Sequence, residues 1–350
     1  VKIGLFDHID RTDDRPLAQQ YDERLAFIAK ADDAGFYCYH LAEHHASPVS
    51  TAPNPGLFLS VVARATKQIH IGPLMYLLPF QSPLRIIEDI CILDHLSHGR
   101  LEVGIGRGTS AIEMNWHGID HEQAHAKFLD TYACIIEGLT HDRLNYESEY
   151  SSYKDVPMVL APLQDPYPDF WYGSSSVETS AWAGSHGMHL VTYGSRAKAN
   201  IAAYSAALAE RGGPRRQHPA FKGGTAISAM LEIVVADTDE EARRIARPAH
   251  DHLYANQTFL RREHAAGRTG GFQYVTAPTK RVGDFDGAIA EGSLVVGSPE
   301  SVTARLTEMV REFGYTYLIG YFMFGSMSLA DASRSLDLFS KEVMPKLAPL

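Results

Sequence analysis

Read from its first residue, the chain alternates short apolar runs with longer amphipathic ones. Residues 1–6, VKIGLF, predict a strand, and 21–35, YDERLAFIAKADDAG, predict an amphipathic helix that stops at Gly35. The alternation continues with strands over 36–43, 69–79 and 100–106, and with helices over 54–66 and 82–99, the latter opened by Ser-Pro and closed by Gly. Helices at 122–139, 175–187 and 196–212 then interleave with strands at 169–173 and 188–194. A strand at 226–236 leads into a long helix, 237–264, with a kink expected at Pro248. Helix 298–314, strand 315–325 and helix 328–347 complete the pattern. About eight strands, nearly each followed by a helix, imply a mostly parallel sheet and favour a closed (β/α)8 TIM barrel over an open sheet. No Gly- or Ser-rich linker divides the chain, so 1–350 read as one domain. The Gly-rich stretch 265–292 fits neither period and reads as a lid or a disordered segment.

The formal charge of −10 argues against nucleic acid, whose phosphates call for an excess of Lys and Arg. No apolar run reaches the ~18 residues of a spanning helix. The opening VKIGLFDHIDRTDD lacks a signal-peptide pattern. Cys38, Cys91 and Cys134 are far apart and form no CxxC pair, so neither a disulfide framework nor a zinc ribbon is expected, and a cytoplasmic setting is the simplest.

In a parallel barrel the residues just past each strand share one rim, where active sites form. Three stretches there carry chemistry. LAEHHASP, 41–48, ends the second strand with Glu43, His44 and His45, and strand alternation sends the two imidazoles to opposite sides. One of them, His44, can face the mouth and exchange a proton near neutral pH; the other reading is a structural pair at a loop start. GIGRGTS, 104–110, lets backbone approach a ligand at Gly106 and offers the Arg107 fork to a phosphate or carboxylate, or is a tight turn with a surface Arg. GSSSVET, 173–179, joins a strand to a helix whose free N–H groups and Ser hydroxyls suit an anion, or is plain capping by Ser175 or Ser176. His117, His121 and His125 fall at four-residue spacing and read as a solvated helix face; His250 and His252 read as surface. No metal-ligand set is evident.

Together, EHH, EDICILDHLSHGR, GIGRG and MNWHG within 37–118, with GSSSVETSAWAGSHG at 173–187, resemble the luciferase-like flavin-dependent monooxygenases. The resemblance implies a barrel that binds reduced FMN supplied by a separate flavin reductase, forms a flavin hydroperoxide with O2 and oxygenates a small organic substrate, whether an aldehyde, a ketone or a natural-product intermediate. It implies that His44 is catalytic, that Arg107, Ser175, Ser176 and Thr179 hold the FMN phosphate, and that Leu74–Met75 forms a non-prolyl cis peptide beneath the flavin ring. Gly106 stands where light-emitting members carry Cys, and Ser175 where many carry Glu. The stretch 265–292 corresponds to the mobile lid of these proteins, and a homodimer packed through helices near the second and third strands is implied. A deazaflavin-dependent hydride-transfer enzyme of the same superfamily, a non-catalytic flavin binder and a metal-dependent barrel hydrolase using His40, His44 and His45 are the competing readings.

Overall fold

The computed structural model describes residues 1–192, 194–271 and 284–350. Its strands are β1 (Lys2–Asp7), β2 (Cys38–Leu41), β3 (His70–Pro73), β4 (Tyr76–Leu77), β5 (Val103–Gly106), β6 (Arg143–Glu147), β7 (Ser152–Pro157), β8 (Phe170–Gly173), β9 (His189–Val191), β10 (Ile227–Val235), β11 (Leu294–Gly297) and β12 (Tyr317–Tyr321). The helices are α1 (Leu17–Asp33), α2 (Pro55–Ala65), α3 (Pro83–Leu96), α4 (Ala111–Trp116), α5 (Ala124–Thr140), α6 (Val177–Ser185), α7 (Ala197–Arg211), α8 (Asp239–Ala265), α9 (Phe285–Glu291), α10 (Pro299–Phe313), α11 (Leu329–Leu338) and α12 (Met344–Leu347).

The main sheet runs β3-β2-β1-β12-β10-β9-β8-β5-β4, with every pair parallel and β11 added against β10. Its two ends belong to one strand, since β3 and β4 lie either side of the cis peptide Leu74–Met75. A parallel bridge between Ile71 and Leu101 joins β3 to the approach of β5 and closes the ring. The expected (β/α)8 barrel is therefore present. Its strands are buried on both faces, as in β12 where all five residues are buried, which is why they read as unbroken apolar runs.

The structure departs from the pattern in several places. The run 69–79 is two strands and a short 3-10 turn, Leu78–Phe80, because the chain changes direction at Leu74–Met75. Helix α8 includes Pro248, where the missing N–H removes one bond of a 27-residue helix whose buried face carries Ala242, Ala246, Ala249 and Leu253. Of the expected lid, 272–283 lie outside the described residues. Its last part is α9, with Phe285 buried and Asp286 held by Arg243 and, at 3.0 Å, by Arg247 of α8. Among the described residues no helix is long and apolar enough to cross a membrane.

The barrel floor, at the strand N-termini, is polar and buried. Glu102 accepts hydrogen bonds from the Tyr37 hydroxyl and Trp171 Nε1, and His70 Nδ1 lies 3.1 Å from it. His40 Nε2 is 3.0 Å from the Tyr317 hydroxyl, and His189 Nδ1 accepts from the Ala226 amide at 2.9 Å. Both imidazoles pack against the Trp171 ring.

Candidate active site

At the opposite rim, β2, β3/β4, β5 and β8 are consecutive neighbours, and each ends in one of the stretches singled out in the sequence. His44 lies three residues past β2, with its side chain 32% exposed. Its Nδ1 is 3.4 Å from Glu113 Oε1. A carboxylate can only accept, so Nδ1 carries the hydrogen, and in the neutral ring Nε2 then keeps its lone pair. Glu113 also accepts the His45 backbone N–H at 3.3 Å, which ties the β2 loop to the first turn of α4.

His45 turns the other way, as alternation requires. Its Nε2 is 2.8 Å from Glu43 Oε1, and its ring lies 4.5 Å from that of His117. Burial pulls the His45 pKa down, but the hydrogen bond to Glu43 and the charges of Glu43 and Glu113 outweigh it and leave the pKa raised. Glu43 is fully committed, accepting also from the Leu77 amide at 3.0 Å and Gln81 Nε2 at 2.8 Å. It therefore clamps β2 to β4 and is not available for chemistry.

Gly106 and Arg107 end β5. Arg107 has no ion-pair partner among the described residues. Its charge reaches the Tyr172 hydroxyl on β8, whose pKa burial nevertheless raises. Beside it, Ser176 caps α6 by accepting the Thr179 amide at 3.3 Å. Buried Ser174 sets that turn: its hydroxyl donates to the Ser176 carbonyl at 3.0 Å, lies 2.7 Å from Thr179 Oγ1 and accepts from Ser180 Oγ at 2.8 Å. Ser175 is exposed and leaves the capping to Ser176. Arg107 follows β5 and the α6 cap follows its parallel neighbour β8, so a guanidinium without an ion-pair partner among the described residues and several hydroxyls end adjacent strands, a donor set that fits a phosphate monoester.

Between His44 and this cradle lies Met75, partly buried against the core. Its thioether fills the gap between two glycines. A Cβ at Gly106 would stand 2.0 Å from Met75 Sδ, and one at Gly173 would stand 2.5 Å from Met75 Cε. The absence of a side chain at 106 is therefore a steric condition for the methionine. Leu74 is buried and crowds Gly104 in the same way.

The residues expected at the site thus share one rim, but three features escape the sequence pattern. Glu113 sits in Ser110-x-x-Glu113, a capping-box spacing; Ser110 does cap α4, while the carboxylate is diverted to the histidines. His8, just past β1, is buried with its ring 5.4 Å from that of His44. Trp116 and His117 end α4, so His117, His121 and His125 do not form one helix face; the His117 ring stacks on Phe80 at 4.7 Å instead. His250 is also not at the surface. It is buried, with Nδ1 2.8 Å from Glu232 Oε2. Among the described residues no cluster of three metal-ligating side chains occurs, so a barrel hydrolase built on His40, His44 and His45 has no metal site.

A closed parallel barrel whose C-terminal rim gathers an oriented imidazole, an arginine and a capped helix start defines the architectural class, a (β/α)8 barrel with its polar groups on one rim. The family model for luciferase-like monooxygenases matches residues 1–317, and the chain belongs to that family. It is 35% identical to uncharacterized protein y4wF of Sinorhizobium fredii, over 99% of this chain and 97% of that one. It is 25% identical to limonene 1,2-monooxygenase of Rhodococcus erythropolis, over 92% of this chain and 80% of that one. The oxygenating constituent of 3,6-diketocamphane monooxygenase from Pseudomonas putida, a type II Baeyer–Villiger enzyme solved with FMN, shares the fold with a TM-score of 0.80 at 22% identity, covering 99% and 98% of the two chains.

Proposed function

We propose that the protein is an FMN-dependent monooxygenase that receives reduced FMN from a separate reductase and oxygenates a small organic substrate. The observation that carries this reading is that one rim holds both Arg107, which has no ion-pair partner among the described residues and ends the strand next to the one leading into α6, and His44 held by Glu113. Arg107, Ser176 and Thr179 would hold the phosphate, with Ser175 at the exposed edge. Leu74, Met75 and Gly106 would form the apolar seat of the ring system. Bound FMN supplies the activation of O2. His44 Nε2, its ring set by Glu113, holds or takes a proton at the reacting oxygen, and the apolar seat keeps water from that oxygen.

Rapid mixing of protein and anaerobically reduced FMN with oxygenated buffer tests this. Return of the oxidised FMN absorbance is expected to be at least about tenfold slower than for free FMN, and faster again in His44→Ala. Reoxidation at the free-FMN rate in both proteins would sink the proposal.

The same reading includes a homodimer in a cytoplasmic setting. Supporting it, α2 and α3 pack together and expose Leu57 at 71%, Val61 and Ile92, while the neighbouring loop exposes Val159 at 88%. Apolar groups exposed in such number on one side mark an interaction face. Sedimentation equilibrium is expected to give about twice the chain mass, and Leu57→Glu with Ile92→Glu is expected to return it to one; a monomer in wild type would refute the dimer.

A further inference from the structure

We infer that Met75 is a modification site: its thioether is oxidised by peroxide to the sulfoxide, and the oxidised side chain blocks the cofactor seat. The inference rests on the flavin reading above and adds a regulation to it.

Met75 Sδ and Cε occupy the positions that side chains at 106 and 173 would need, with 2.0 and 2.5 Å to the nearest would-be Cβ atoms. The thioether therefore packs in a slot, against the bare backbone of both glycines. A sulfoxide adds an oxygen with the bulk of a methyl group and strong hydrogen-bonding demand, and the slot's walls are the backbone of β5 and β8. The oxidised side chain must therefore leave it. Met75 is only partly buried, so the side chain leaves toward its open side, at the mouth. There it stands on the strand between the one that carries His44 and the one that carries Arg107, across the path any ligand spanning both must take.

The chemistry needs only hydrogen peroxide, the two-electron product of O2 that escapes from reduced flavins. A sulfur lone pair attacks one peroxide oxygen. The O–O bond breaks, the S–O bond forms, sulfur loses two electrons, and the second oxygen leaves as water with both protons. Access separates the methionines. Met114, Met188, Met309, Met323 and Met327 are buried, whereas Met75 is among those that are partly exposed, together with Met158, Met230 and Met344.

The test treats the purified protein with a small molar excess of hydrogen peroxide, stops it with catalase, and maps the added oxygen by peptide mass spectrometry. Binding of oxidised FMN is then read by quenching of flavin fluorescence. The dissociation constant is expected to rise at least about tenfold in step with Met75 oxidation and to recover with the two methionine sulfoxide reductases. Met75→Leu is expected to show no peroxide-induced change relative to its own untreated sample. Oxidised Met75 with unchanged affinity, oxidation that spares Met75, or an equal peroxide effect in Met75→Leu would each overturn the inference. Failure of untreated protein to bind FMN would overturn the flavin reading instead, and the mass map would still decide whether Met75 is the oxidised residue.

Discussion

Replacing Arg107 with alanine is expected to weaken FMN binding by about two to three orders of magnitude while changing riboflavin binding by no more than about threefold. The two ligands differ only in the phosphate, so the comparison isolates one contact. A guanidinium on a phosphate makes charge-assisted hydrogen bonds of roughly 1.5–3 kcal/mol each, and its fork can make two. Arg107 has no carboxylate partner among the described residues, so the wild-type side chain gives up no competing ion pair when it binds. The neighbouring Ser176 and Thr179 hydroxyls are partly occupied with each other, 3.0 Å apart, and cannot replace a charge. Arg107→Lys should recover part of the loss, as a point charge without the fork. Raising the salt concentration should weaken FMN binding in wild type more than in the alanine variant. Equal losses for FMN and riboflavin in Arg107→Ala would place the residue away from the phosphate and remove the main support for the cofactor assignment.

That these residues could be assigned to one rim reflects how a parallel barrel writes itself into sequence. Its strands are buried on both faces and give short apolar runs, and its helices end at glycines such as Gly35, Gly212 and Gly314, all with positive φ. Once the strands are placed, the residues just beyond them must share a rim, and the sequence alone therefore groups His44, Arg107 and Ser176. The hairpin β6–β7 was not legible because most of its residues are exposed and carry no alternation tied to a core. The four-residue β11 and the six-residue α4 are too short to show a period. Contacts made through space were hidden for a different reason. Met75 and Gly106 are 31 positions apart, and nothing in either local pattern announces that one excludes a side chain on the other. Glu113 was masked by a capping spacing that is itself correct, and His8 by the polar tail that follows it in sequence.

The barrel floor carries the second large effect. Burial pushes the pKa of His40 and of His189 down to about 4, against the opposing charge of Glu102 in both cases and of Asp169 for His189. Glu102 shows the converse. Burial alone would raise it, but the imidazoles of His70, His189 and His218 hold it well below the usual carboxylate range. For a histidine with a depressed folded pKa, the unfolded chain takes up a proton near pH 6.5 and the folded chain does so only near pH 4. Between those values the unfolded state binds more protons, so the stability contribution is complete above about pH 6.5 and is lost as the pH falls toward 4. Each site should lose on the order of 2–3 kcal/mol between pH 7 and 4.5. The whole-protein curve mixes this with an opposite contribution: burial pushes Asp10 up to about 6, which favours the folded state as the pH falls below 6. Variants separate the two. In His189→Asn the amide oxygen can still accept from the Ala226 N–H but no proton is taken up, and His40→Gln can still reach the Tyr317 hydroxyl. The stability of wild type minus that of the double variant, from urea unfolding, is therefore expected to fall by about 5 kcal/mol from pH 7 to pH 4.5. A pH-independent difference would mean that the two imidazoles titrate normally and that the floor is open to water.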